Sequence, residues 1–162
     1  MPEYHMRNKP DREIRDKAEI REILKAGKFC TIALCRDNEP YIVTLSYGYD
    51  EPNNALFFHC SAQGLKLDFI RQNPGVCATV IEDGGYVPDE CEHNFRSAVF
   101  WGKMKIVTEL PEKKHGMGIL LNHLEKDTHV IADKLVKSDG YYPSKMAVLK
   151  LDILQIHGKA GK

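Results

Sequence analysis

Four residues in the stretch LFFHCSAQGLKLDFIRQNP, Leu56 to Pro74, have the types and spacing to hold an anion: His59, Ser61, Gly64 and Lys66. The apolar run Leu56 to Cys60 reads as a buried strand. It passes without a linker into a helix over about Ala62 to Gln72, with Ser61 at the N-cap, where its hydroxyl would accept an orphan backbone N–H. Glycine in a first turn costs about 1 kcal/mol against alanine, and a lysine there puts its charge at the positive end of the helix dipole. Both choices make sense beside a phosphate. Gly64 would let the oxygens approach the backbone, free N–H groups would point at them, and Lys66 would neutralise them. His59 lies one alternation before Ser61 and shares its side of the strand. The other reading is a capped surface helix with a solvated lysine, and the spacing alone leaves both open.

The elements around this junction read as strands with few helices. A first helix is expected from Asp16 to Ala26, where Asp16 and Glu19 make a D-x-x-E capping pattern, Ile20, Ile23 and Leu24 share a face, and Gly27 stops it. Strands follow at Phe29 to Cys35, Tyr41 to Tyr49 and Ala55 to Cys60, joined by turns too short for anything but antiparallel hairpins. After the Lys66 helix come a strand over Val76 to Glu82, a polar loop over Asp83 to Asn94, and a long strand over Phe95 to Val107 with Gly102 as a bulge. A third helix starts near Pro111. Thr128 to Tyr142 could hold a short helix ending at Gly140, and Met146 to Gly158 alternates as a last strand. Six strands with peripheral helices imply a small antiparallel barrel, closed or partly closed, in a single domain over 1–162.

Bulk properties exclude several classes. The chain has 162 residues, with 23 Lys plus Arg against 23 Asp plus Glu, and no long basic block of the kind that tracks nucleic acid. Five cysteines, Cys30, Cys35, Cys60, Cys77 and Cys91, show no CxxC spacing, which suits a reducing cytoplasm better than a disulfide framework. The N-terminus has no apolar leader and no segment is long enough to span a bilayer, so a soluble, cytoplasmic protein is expected.

From about Arg12 to Lys159 the chain resembles the pyridoxamine 5′-phosphate oxidase-related FMN-binding split-barrel proteins, most of all their nitroimidazole-resistance (Nim-type) branch. The blocks EPYIVTLSYGYD (Glu39 to Asp50), LFFHCSAQGLKLDFIRQNPGVCATV (Leu56 to Val80), CEHNFRSAVFWGKMKIV (Cys91 to Val107) and LPEKKHGMGILLNHL (Leu110 to Leu124) carry the likeness in order. The resemblance implies a six-stranded antiparallel split barrel that forms a homodimer, with FMN held at the interface between subunits. It implies that Thr44, Leu45 and Ser46 line the flavin ring, that His59, Cys60 and Ser61 reach the ribityl chain and phosphate, and that Lys66 pairs with the phosphate. Ser97, Val99 and Trp101 would lie near the flavin and the dimer interface.

A flavin needs an anion site, a slot for a flat ring and polar groups at its pyrimidine edge. Strand backbone around Thr44 to Ser46 could supply the last, and Tyr47, Tyr49, Phe58 and Trp101 could supply aromatic surface. The cofactor would carry the chemistry, passing electrons to a small organic acceptor such as a nitro compound. His59 would be the proton donor. The C-terminus LDILQIHGKAGK lacks the Trp and Arg with which true pyridoxamine phosphate oxidases engage substrate, which argues against that reaction. Two other readings stand beside this one: a flavin- or haem-binding module without turnover, and a deazaflavin in place of FMN.

Other constellations are weaker. Cys91 and His93 sit in an acidic loop that matches no zinc spacing, so no metal is expected there, although the resemblance also allows Cys91 a place near the flavin. His115, His123 and His129 form no HExxH and read as surface histidines. Gly84–Gly85 is not a dinucleotide fingerprint, and no P-loop is present.

Overall fold

The computed structural model describes residues 9–129 and 146–161. In chain order the elements are β1 (Glu13–Ile14), α1 (Lys17–Ala26), β2 (Phe29–Arg36), β3 (Glu39–Ser46), β4 (Gly48–Asp50), β5 (Ala55–Ser61), α2 (Leu65–Gln72), β6 (Gly75–Val87), β7 (Glu92–Ile106), α3 (Leu110–Leu124) and β8 (Met146–Ala160). All strand pairs are antiparallel, in the order β3-β2-β6-β7-β8-β5-β4, with β1 added to β8. The six expected strands are present. The short β1 and β4 are additional.

Local chemistry explains the hairpins. Asp37 and Asn38 both take positive φ, 47° and 65°, the combination that a two-residue primed turn requires, and it joins β2 to β3 in register. Pro40 is tolerated because β3 ends the sheet and its outer edge needs no donor. The run Tyr41 to Tyr49, expected as one strand, breaks at Tyr47. Its ring is fully buried and its hydroxyl donates to the Leu24 carbonyl at 2.6 Å, so the chain leaves β3 and re-enters as β4 at the far end of the sheet. This break leaves the barrel split between β3 and β4.

The polar loop expected over Asp83 to Asn94 is mostly strand. β6 continues to Val87 and β7 begins at Glu92, with a register shift between Asp83 and Gly85, where Gly85 has φ +91°. Polar residues persist in this ribbon because its backbone pairs across the hairpin while side chains meet water, and Asp83 accepts from the His93 ring at 2.7 Å. A second shift, at Trp101/Gly102, is the bulge expected from the glycine.

The helices plug and flank the barrel. α1 buries Ile20, Ile23 and Leu24, is capped by Asp16 accepting the Ala18 N–H at 2.8 Å, and ends as Gly27 donates to Ile23. Glu19 does not complete the capping pair; it turns to Arg96, which also binds Glu82 at 2.7 Å. The main core joins α1, α2 and the inner faces of β2, β5, β6, β7 and β8. A smaller cluster packs Phe57, Val107 and Val148 under Met117 and Leu120 of α3. The suggested helix over Thr128 to Tyr142 falls largely outside the described residues.

Two histidines expected at the surface hold α3 in place. His115 donates to the buried carboxylate of Asp50 at 2.8 Å. His123 is half-buried, with its ring 4.9 Å from that of Tyr47 and its Nε2–H donating to the Gly27 carbonyl at 2.7 Å. Burial, aided by nearby Lys28, holds the His123 pKa below its ordinary value despite the opposing Gly27 bond. A neutral imidazole is therefore favoured in the fold, so its share of stability is complete above the unfolded-state pKa of about 6.5 and is lost as pH falls from there through the folded value. Chemical denaturation between pH 7.5 and 5 should show native stability falling on the acid side, and His123→Gln should flatten that slope.

Candidate flavin-phosphate site

The junction of β5 and α2 is built differently from the sequence expectation, in a way that bears on anion binding. Ser61 is the last residue of β5, not the helix cap, and its Oγ accepts only a long bond from the Gln63 N–H at 3.5 Å. The cap is Gly64, at φ +142° and ψ 159°, a conformation that belongs to glycine almost alone. The chain needs Ala62 and Gln63 to turn the corner, so α2 starts at Leu65, three residues later than expected. No side chain caps it. Leu67 donates to Gly64 at 2.9 Å, and the amides before it have no intrahelical acceptor.

Lys66 leans back over this turn. A Cβ placed on Gly64 would lie 3.8 Å from its Nζ. Among the described residues Lys66 makes no ion pair and no hydrogen bond. An ammonium without a carboxylate, open amides and a backbone bare of any Cβ form a donor set that fits a phosphate monoester. Ser61 is exposed beside them. His59 is exposed too, and strand alternation puts it on the Ser61 side of β5. Cys60 points the other way, toward the core. Burial pushes its thiol pKa up while the Lys66 charge draws it down, so Cys60 can offer a ligand its backbone but not its sulfur.

On β3, Thr44 and Ser46 lie on the outer face, and the Thr44 hydroxyl shares a 3.0 Å hydrogen bond with that of Thr31. Leu45 faces inward against the core, so only its backbone is available. As the end strand, β3 leaves one row of N–H and C=O groups without a sheet partner, the polar edge that a pyrimidine ring would need. The aromatic surface expected here is reduced. Tyr47 and Phe58 are fully buried, which leaves Tyr49 and Trp101 partly exposed.

Ser97, Val99 and Trp101 lie on the outer face of β7, away from the junction. Ser97 and Val99 line a hollow of about 520 Å³ with Thr79, Ile81 and Phe95. Trp101 lines a second, of about 460 Å³, with Cys35, Cys77 and Leu154. Neither hollow includes any residue of 44–46 or 59–66. The abundance of apolar strand residues for so small a barrel hints at a covered outer face without naming it, and the structure shows an exposed apolar set there: Phe29 and Ile42 (each 64% exposed), Ile81 (61%) and Leu154 (55%). A signal existed, because Phe29 to Cys35 is apolar at both parities, as in a strand covered on both sides. Among the described residues no group of His, Cys, Asp and Glu could hold a metal, and no helix is long and apolar enough to cross a membrane.

Comparison with known proteins places the fold. The solved structure of a provisionally assigned 5-nitroimidazole antibiotic resistance protein from Bacteroides thetaiotaomicron VPI-5482 superposes with a TM-score of 0.73 at 27% identity, covering 92% of this chain and 86% of that one. An FAD-binding protein from Mesorhizobium loti shares the fold at a TM-score of 0.68 and 22% identity, over 93% of this chain and 98% of that one. An FAD and heme binding protein from Mycobacterium smegmatis does so at 0.72 and 16%, over 93% and 74%. In sequence, the uncharacterized protein RA0666 of Rhizobium meliloti (strain 1021) is 33% identical over 69 residues, which span 43% of this chain and 44% of that protein. The fold is the antiparallel split barrel, mainly β with three helices among the described residues. The family described as Pyridoxamine 5′-phosphate oxidase matches residues 16–160, and the chain belongs to that family.

Proposed function

We propose that this protein is an FMN-dependent oxidoreductase that works as a homodimer and passes electrons to a small organic acceptor, with nitro compounds the first class to try. One observation carries the reading: the unpaired Lys66 ammonium over the Gly64 turn, a phosphate grip at the end of a barrel strand. A flavin bound there would supply reversible electron transfer, and the chain's own groups would bind and orient it. Ser61, Lys66 and the first amides of α2 would hold the phosphate, and the free edge of β3 at Thr44, Leu45 and Ser46 would offer polar groups to the ring. The likeness to the Bacteroides resistance protein supports the nitro-compound choice.

The apolar outer sheet face supports the dimer. Phe29, Ile42, Ile81 and Leu154 are each more than half exposed on the face that also holds Ser97, Val99 and Trp101, and a second copy of the chain would cover them. Pairing of this kind would bring the β7 residues of one subunit toward the flavin of its partner, which a single chain does not do. The free cysteines of the described residues suit a reducing compartment such as the cytoplasm.

His59 presents an exposed imidazole on the side of the phosphate grip, placed to deliver a proton as the acceptor is reduced. The test is optical. The protein loaded with FMN should be yellow, bleach under an anaerobic reductant and regain colour when a 5-nitroimidazole is added. His59→Ala should keep the colour and slow its return at least tenfold. A protein that takes up no FMN contradicts the proposal, and full-speed recovery in His59→Ala removes the histidine from it.

A further inference from the structure

A cavity of about 320 Å³ opens between α1, β4, the β4–β5 turn and β8, walled by Ile20, Leu24 and Ile156 and edged by Lys17, Arg21 and Tyr49. Its size is at the lower end of the range for small-molecule sites, and apolar walls with a few converging polar groups are their usual lining. Its residues are distinct from the phosphate grip at Ser61, Gly64 and Lys66 and from the outer face of β7, and Tyr49 is the one residue it shares with the aromatic surface considered for the flavin ring.

The charges at the mouth point one way. Lys17 and Arg21 stand one turn apart on α1, and both border the cavity. Lys17 makes no ion pair and no hydrogen bond among the described residues. Arg21 contacts Glu51 at 3.3 Å, but Glu51 is also held by Lys25 at 2.9 Å, so Arg21 can turn to a new anion without stranding that carboxylate. Tyr49 brings a phenol with no hydrogen-bond partner among the described residues, and burial raises its pKa, so it stays a neutral donor. Lys25 is shared between Glu51 and Glu22, so this cluster keeps a net charge of +1, with Lys17 and Arg21 the cations that border the cavity.

We infer that this cavity binds a small carboxylic acid in its anionic form, with the apolar body against Ile20, Leu24 and Ile156 and the carboxylate held by Arg21, Lys17 and the Tyr49 hydroxyl. Arg21 gives the planar, two-pronged contact that carboxylates favour, and Lys17 adds a point charge. The preferred ligand has one charge and a short aliphatic or aromatic body. A second charge would have to enter the apolar wall.

The test is a titration of the full chain with hexanoate, followed by ¹H–¹⁵N NMR. Saturable shifts are expected at the amides of Lys17, Ile20, Arg21, Leu24, Tyr49 and Asn54, and they should persist when FMN is present in excess. Hexan-1-ol, which has the same body without the charge, should move the same amides with at least tenfold weaker affinity. Arg21→Met combined with Lys17→Met should weaken hexanoate at least tenfold and leave hexan-1-ol within twofold. Leu24 is too buried to alter safely, so Ile156→Glu, on the partly exposed wall, serves as the second variant and should abolish binding of both probes. The inference is overturned if hexanoate gives no saturable shifts around the cavity, or if the double Met variant binds it as well as the native chain does.

Discussion

Lys66→Ala should bind FMN about 10- to 150-fold more weakly than the native chain and bind riboflavin equally well. The size of the effect comes from charge-assisted hydrogen bonding at the β5–α2 turn. Such contacts are worth about 1.5–3 kcal/mol each, and every 1.4 kcal/mol is a factor of ten in affinity. Among the described residues Lys66 has no carboxylate that its removal would strand, so the main loss is the grip on the ligand. Riboflavin carries the same ring without the phosphate and isolates that term. Lys66→Glu should go further, because it sets a negative charge against the phosphate. Fluorescence titration of both flavins into the three proteins separates the outcomes. A parallel loss of FMN and riboflavin would mean that the lysine supports the fold or the ring, and unchanged FMN affinity would take it out of the site.

Gly48→Ala should lower stability by about 3 kcal/mol, at the upper end of the cost of overpacking. A Cβ at this position would lie 2.5 Å from the Leu120 Cα and 2.6 Å from the Leu120 N. These are backbone atoms of α3 and cannot swing aside as a side chain can, so α3 must lift from β4. For a chain of this size 1 kcal/mol corresponds to about 2–4 °C in Tm, which gives a drop of about 6–12 °C by scanning calorimetry. The same helix supplies its own control. A Cβ on Gly118 meets nothing within 4 Å, so Gly118→Ala should raise stability by roughly 0.5–1 kcal/mol through helix propensity alone. If the two substitutions gave the same result, the close seating of α3 on β4 would be wrong.

The features legible in the sequence are those that local chemistry decides. Gly64 and Lys66 stood out because each is a poor choice for a plain helix start, and the positive φ of Gly64 is the backbone form that only glycine adopts with ease. Gly102 as a bulge and Asp16 as a cap were readable for the same reason. Ser61 looked like a cap because serine before a helix usually is one, but the turn out of β5 consumes two more residues, and no local pattern reports the angle between strand and helix. Tyr47 and Phe58 read as aromatic surface for a flavin ring, whereas both are fully buried in the core and the Tyr47 hydroxyl bonds the Leu24 carbonyl of α1. Alternation fixes parity within a strand but not which side another element will cover. His123 read as a surface residue because its partner, the Gly27 carbonyl, lies 96 positions away. The apolar outer face is written in the double parity of β2, but an excess of apolar strand residues does not say which of them stay uncovered.

Anchoring of a flavin mononucleotide by its phosphate, where β5 turns into α2, is the physical premise of the proposed function. The most direct measurement is the mass of whatever small molecule the purified protein releases on denaturation, after loading with an equimolar mixture of FMN, FAD, riboflavin, a deazaflavin and haem. The expected release is FMN, one per chain, and from Lys66→Glu none. Release of haem, or of FMN and riboflavin in equal amounts, would contradict the phosphate anchor, and release of FAD or a deazaflavin would contradict the choice of FMN.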